Sequence, residues 1–286
     1  MEKQSRRNFL IGSALGAIAT TTGLSALAAN SSADLGSLSS SGFLGPHEKP
    51  EVFSTAYHHW TPFQVEGYKL ILDELVTEAG VEVRFFTKVI DAEANPEKGM
   101  VDGVFLHNIE GYKFARSKAY IDCTGDAVLS SLCGAKCREE YELNFEDYKS
   151  RREFPDQIGI FNKSVDIHAY NDSLEEFNRY EKEYEQTAKL NPGEFFGIPY
   201  SILVPKGWLN LWVAGRCNSS DIKVNGSIRV QPAASMMGQA AGTAAVQSIK
   251  TGQPACDLNT ETLISTLRTE RANLPQKKLS TKMTRA

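Results

Sequence analysis

Three short stretches of this 286-residue chain join glycine to polar or charged side chains in patterns suited to holding a ligand. The first is Asp122-Cys123-Thr124-Gly125-Asp126. Gly125 tolerates a positive φ and lets a ligand approach the backbone with no Cβ in the way. Asp126 is placed to cap a following helix or to accept from a sugar hydroxyl. The plainer reading is a strand–turn–helix junction with a cap. The second is Leu211-Trp212-Val213-Ala214-Gly215-Arg216, an apolar strand breaking at glycine. Strand ends of this kind open crevices in α/β sheets. Arg216 there is either a bidentate phosphate partner or a surface cation. The third runs from Gly226-Ser227-Ile228-Arg229-Val230-Gln231-Pro232 into Ala233-Ala234-Ser235-Met236-Met237-Gly238-Gln239-Ala240-Ala241-Gly242. Pro232 suits a first helical turn, where its missing N–H costs nothing. Ala234, Gly238, Ala241, Gly242 and Ala245 share one helical face almost free of side chains. The open amides and positive dipole end favour an anionic or electron-rich ligand. A small-residue stripe packing on a sheet accounts for the face, but not for the Gly-Ser-x-Arg-x-x-Pro lead-in.

The elements that must position these residues follow from periodicity. Apolar residues at helical spacing predict a helix over Gln64–Ala79, stopped by Gly80. Val81–Phe86 alternates and reads as a strand. Further strands are expected at 87–94, 101–108 and 112–122, with turns at Asn95-Pro96 and Glu110-Gly111. Ala127–Cys133 reads as a helix, with Cys133 and Cys137 spaced for neighbouring turns. A helix is expected over Ser173–Leu190, its glutamates (Glu175, Glu176, Glu181, Glu183, Glu185) forming a solvated face. Ser201–Val204 and Leu209–Ala214 are strand candidates, and Pro232–Ile249 is a helix.

The N-terminus poses a separate problem. Ser5-Arg6-Arg7-Asn8-Phe9-Leu10 sets paired arginines before an apolar run, and Ala26-Leu27-Ala28 offers a signal-peptidase site before Ala29. The run is too weakly apolar for a stable membrane span. It resembles a bacterial twin-arginine signal, which implies export of a folded protein, often with its cofactor loaded. The expected location is periplasmic or extracellular, with the twin-arginine machinery as a partner. Removing residues 1–28, which carry Glu2 against Lys3, Arg6 and Arg7, takes the net charge from −4 to −6. That acidity argues against a nucleic-acid partner. Composition is otherwise globular, with 41% hydrophobic and 23% charged residues, enough for a sizeable core. Five cysteines (Cys123, Cys133, Cys137, Cys217, Cys256) without a C-x-x-C run predict neither a disulfide framework nor a zinc site. His58-His59-Trp60 is either a proton-transfer group near a substrate or a loop packing feature.

The Thr-Gly-Asp turn, the Ala-Gly-Arg strand end and the Gly-Ser-Ile-Arg-Val-Gln-Pro…Gly-Gln-Ala-Ala-Gly run occur in that order. Together they resemble the FAD-dependent oxidoreductase family that includes relatives of the heterodisulfide reductase flavin subunit. The stretch from Tyr68 to Val83 resembles the same family, and the likeness covers about Val65 to Ile249. It implies an α/β, FAD/NAD(P)-binding-like mixed sheet with an antiparallel meander, and hydride transfer from a small organic substrate to flavin. The implied cofactor is FAD, contacted by Thr124, Gly125, Asp126, Gly215, Arg216, Gly226, Arg229, Gln231, Pro232, Gly238, Gln239 and Gly242. Relatives can hold an iron–sulfur cluster, but the cysteine spacing here does not supply one.

The implied organisation is a signal (1–28), a Ser/Gly-rich linker (29–50), a split FAD-binding-like domain (51–137 and 197–286) and an inserted substrate-facing region (138–196). One departure stands out. The G-x-G-x-x-G turn that holds the ADP pyrophosphate in such proteins is absent from the sequence. The fold is therefore expected to be incomplete at its N-terminus, through an internal deletion, a mis-called gene start or division into two polypeptides. A non-catalytic remnant and one half of a two-chain flavoenzyme stand as the alternative functions.

Overall fold

A computed structural model describes residues 65–136, 141–167, 173–183, 189–191 and 193–275. Helix α1 (Val65–Glu78) opens the described chain. It closes where Gly80 takes φ +68° and the Val81 amide reaches back to the Val76 carbonyl (3.0 Å). Strands β1 (Lys88–Asn95), β2 (Met100–Asn108) and β3 (Gly111–Ala115) form an antiparallel meander with Asn95 opposite Met100 and Asn108 opposite Gly111. Its inward face buries Val101, Val104 and Leu106.

Strand β4 (Tyr120–Asp122) leaves the meander and pairs in parallel with β7 (Leu211–Val213), Asp122 opposite Val213. The Asn210 side chain joins the two sheets, accepting from the Val101 amide (2.9 Å) and donating to the Val101 carbonyl (2.8 Å). These bonds replace a ladder that the sheets do not share. The short helix α2 (Val128–Leu132) follows β4, and α3 (Phe145–Ser150) starts at a capping box of Asn144 and Asp147. Strand β5 (Gln157–Phe161) pairs antiparallel with β6 (Phe196–Pro199), with α4 (Leu174–Glu183) between them in sequence. Helix α5 (Ile222–Ile228) leads into α6 (Gln231–Thr251), and α7 (Thr260–Thr269) packs back on it.

The architecture is mixed α/β with antiparallel strands. Its main core gathers α6 with Leu143, Tyr148, Ile158, Phe196, Ile198, Trp212 and Leu263, all essentially without solvent contact. A second cluster joins Val101, Val104, Leu106, Tyr120, Leu129, Cys133, Trp208 and Leu211. Within the first core, Trp212 Nε1 donates to the Tyr200 hydroxyl (2.8 Å), which donates to the Ala255 carbonyl (3.0 Å).

Several local expectations change. Val81–Phe86 alternates but forms no strand: Val83 is 40% and Phe85 70% exposed, and Phe86 turns to φ +53°. With no neighbouring ladder among the described residues, alternation has no face to bury. The expected 112–122 strand divides at Arg116–Ala119, so its two pieces join different sheets. Ser201–Val204 is not a strand; Tyr200–Leu203 is a 3₁₀ turn after β6. Helix α2 ends at Leu132 and Gly134 takes φ +83°, so one helix does not carry Cys133 on toward Cys137, which lies outside the described residues. Helix α4 is described only to Glu183.

Candidate functional site

The carboxyl ends of β4 and β7 lie side by side, and each runs into a glycine turn. At the first, Asp122 is 1% exposed and accepts four hydrogen bonds. Its Oδ1 takes the Thr124 amide (3.0 Å) and hydroxyl (2.7 Å), and its Oδ2 takes the Ser130 amide (2.8 Å) and hydroxyl (2.9 Å). A buried carboxylate with this many donors is a structural anchor. The Thr124 hydroxyl also accepts from the Val128 amide (2.8 Å), so it caps α2 and both its hydrogen-bonding roles are spent. Asp126, the expected cap, makes no such bond: α2 has Ala127 at its N-cap, in a left-handed conformation. Gly125 takes φ +81°, and an added Cβ would lie 2.6 Å from Arg216 Nη2.

At the second turn, Gly215 takes φ +79°, and an added Cβ would lie 3.7 Å from the Ala234 Cβ. This brings the turn against the first turn of α6. The peptide is clamped: Asn218 Nδ2 donates to the Gly215 carbonyl (2.6 Å), and Asn225 Nδ2 to the Arg216 carbonyl (3.1 Å). The Arg216 guanidinium covers Gly125 and reaches Asp126 Oδ1 at 3.4 Å. Helix α6 starts at Val230 with no side-chain cap, and Gln231 and Pro232 are exposed there.

Gly125, Asp126, Gly215 and Arg216 therefore meet, with Gly215 against the turn of α6 that Gln231 and Pro232 open, while Thr124 supports them from within. The other candidates lie elsewhere. Gly226 is buried in α5 against the Asp166 carbonyl, and Arg229 donates to that same carbonyl (3.1 Å). Both face the protein's own 163–167 segment, where the Ser227 hydroxyl also donates to the Lys163 carbonyl. Gly238, Gln239 and Gly242 are buried in the middle of α6. At 1.5 Å per residue, Gly238 lies about 10 Å and Gly242 about 16 Å beyond the helix start. His58 and His59 fall outside the described residues.

Two residues that shape the site were not singled out as ligand contacts: Asp122 and Asn218. Asn218 is 7% exposed, and its Oδ1 has no hydrogen-bond partner among the described residues. No sequence signal marks it, since its burial depends on the 3₁₀ turn Gly215–Cys217. The thiols nearby are unreactive in character. Burial pushes Cys123 up to about 12 and Cys217 up to about 11, with the Asp122 charge adding to both. Among the described residues no group of three or more His, Cys, Asp and Glu is placed to hold a metal ion.

The chain belongs to the FAD dependent oxidoreductase family, whose model matches residues 44–142 and 139–268. No curated protein matches it. Among solved structures, the anhydrotetracycline hydroxylase OxyS from Streptomyces rimosus is 14% identical, with a TM-score of 0.35 over 75% of this chain and 48% of that one. A flavoprotein/dehydrogenase from Cytophaga hutchinsonii is 16% identical, with a TM-score of 0.35 over 74% of this chain and 61% of that one. A flavin-dependent halogenase from Xanthomonas campestris is 10% identical, with a TM-score of 0.31 over 73% and 44%. The chain thus spans less than two thirds of the length of these structures.

The residues at the two turns suit a flavin nucleotide in kind. Arg216 offers a cation for phosphate and α6 the uncapped start of a helix, beside the positive-φ backbone of Gly125.

Proposed function

We propose that this family member is an exported FAD-dependent oxidoreductase, related to the heterodisulfide reductase flavin subunit, that oxidises a small organic substrate. When bound, FAD supplies the redox chemistry by accepting a hydride. The chain's own part is to bind and orient it. The two positive-φ glycine turns, held by Asp122 on one side and by Asn218 and Asn225 on the other, present backbone and Arg216 to the cofactor. The first turn of α6, opened by Gln231 and Pro232, directs the free Gln231 N–H and the positive dipole end toward its negative charge, while Pro232 fixes the turn without an N–H of its own. The meeting of the two turns through Arg216, with Gly215 against Ala234 in the first turn of α6, supports this reading above all. The paired arginines and Ala-x-Ala site support folding in the cytoplasm and export by the twin-arginine route. No described helix is long and apolar enough to cross a membrane.

The test is the thermal midpoint of the full chain, purified with its signal intact, with and without FAD. A ligand of the native state at a hundred times its Kd stabilises by about 2.7 kcal/mol. A clear rise in midpoint and a flavin absorption band in the purified protein are expected. An unchanged midpoint at saturating FAD defeats the reading. A second reading, one half of a two-chain enzyme, is favoured by the absent G-x-G-x-x-G turn. On that reading FAD stabilises the chain only when a polypeptide carrying a strand–G-x-G-x-x-G–helix unit is co-expressed.

A further inference from the structure

The Arg216 guanidinium occupies the space directly over Gly125, where a ligand would have to approach the backbone. An added Cβ at Gly125 would already stand 2.6 Å from Nη2 and 3.1 Å from both Cζ and Nε. Guanidinium and ligand therefore cannot share that place. The Arg216 backbone is fixed by the Asn218 and Asn225 amides, so only the side chain is free to leave. What holds the side chain toward Gly125 is its pairing with Asp126 Oδ1 at 3.4 Å, with side chains 53% and 81% exposed. An ion pair this long and this wet is weak and opens readily. The turn that carries Arg216 packs at Gly215 against Ala234 in the uncapped first turn of α6, and the same turn buries Asn218 Oδ1, which has no hydrogen-bond partner among the described residues.

We infer that Asp126 is a latch on Arg216: it draws the guanidinium across Gly125, and a phosphate-bearing ligand binds by taking that guanidinium away from it. This rests on the flavoprotein reading and departs from it on Asp126. There the carboxylate contacts the cofactor; here it competes with the cofactor's phosphates for one cation, as a positioning residue. The chemistry that opens the latch is a phosphate or pyrophosphate group, which matches the guanidinium in geometry and carries more charge than a carboxylate.

The competition gives Asp126 a distinctive sign. Titration calorimetry of FAD into the full chain, and of inorganic pyrophosphate separately, measures it. Asp126→Asn is expected to tighten binding about two- to fivefold, the range an exposed ion pair supports. Arg216→Ala is expected to weaken it about tenfold or more, with Arg216→Lys between, because lysine keeps the charge and loses the fork. In the Arg216→Ala background, Asp126→Asn is expected to change nothing, since the latch has lost its partner. Both positions are exposed, and unchanged thermal midpoints without ligand confirm folding. If Asp126→Asn weakens binding, leaves it unchanged, or still tightens it without Arg216, the latch is overturned while the flavoprotein reading stands. If the wild-type chain binds no FAD, that reading fails, and pyrophosphate alone decides the latch. The same order of affinities keeps it, and any other order, or no pyrophosphate binding, overturns it.

Discussion

At the scale of single residues, the two aspartates of the first turn divide the work in a way their spacing conceals. Asp122 and Asp126 stand four apart around one glycine, yet one is 1% exposed and the other has an 81% exposed side chain. The buried one builds the turn. Asp122→Ala removes the acceptor for the amides of Thr124 and Ser130 and for both hydroxyls. Each buried donor so stranded costs about 1–3 kcal/mol, and relaxation of the turn recovers part of that. A loss of about 3 kcal/mol or more is expected in urea unfolding. Asp122→Asn, which keeps one carbonyl acceptor, should fall between the two. A variant Asp122→Ala within about 0.5 kcal/mol of wild type, the ordinary range for surface substitutions, contradicts the anchor role. The sequence pointed to Thr124, Gly125 and Asp126 because glycine turns and exposed polar residues look like ligand sites. Nothing local distinguishes a carboxylate that holds a turn from one that faces solvent; that depends on Ser130 arriving from α2 on the far side of the turn.

At the scale of elements, α6 was the most legible part of the chain. Pro232 in its first turn, a 21-residue run and Gly252 in the left-handed region at its end are all local signals. Its environment was less legible. A face of alanine and glycine is equally suited to a ligand and to close packing, and here Ala233, Ala240, Ala241 and Ala244 are wholly without solvent contact. Strand β5 makes the complementary choice: Gly159 lies so close to the Met236 sulfur that a Cβ would collide with it. Ala241→Leu inserts three carbons where none fit, so a destabilisation of about 1–3 kcal/mol is expected, with the fold retained. Neutral or raised stability would mean that α6 faces open space at this point. Elements that depend on distant partners were harder to read. Val81–Phe86 has the pattern of a strand without a described neighbour, whereas Gln157–Phe161, which mixes glycine and glutamine, became one because Phe196–Pro199 lies beside it. No helix was expected over Phe145–Ser150, which is too short for periodicity to mark; its one local signal is the Asn144-x-x-Asp147 box that starts α3.

At the scale of the whole molecule, the two cores of the described residues meet at the short β4–β7 pair. Neighbouring residues of β7 point to opposite sides: Leu211 packs with Val101, Val104 and Cys133, while Trp212 packs with Ile198, Tyr200 and α6. Tyr120 and Ile121 of β4 divide in the same way. A three-residue parallel pair, flanked by the Asn210 bridge, therefore couples the meander to the larger core. Neither side keeps its packing if β4 and β7 separate, so the two cores are expected to unfold as one cooperative unit. The cysteines report on each side independently. Cys133 lies in the smaller core, 2% exposed, and Cys123 packs against the larger. Burial pushes both thiols up to about 12, so at pH 8 only about one in ten thousand is thiolate, against roughly a quarter for an unfolded cysteine. Alkylation across a urea series with peptide mapping should label exposed Cys256 throughout. Cys123, Cys133 and Cys217 should remain protected until the main transition and then become reactive over the same urea range. Labelling of Cys133 at clearly lower urea than Cys123 would show the meander opening on its own, and the short β4–β7 pair would then be a hinge between two units instead of the seam of one.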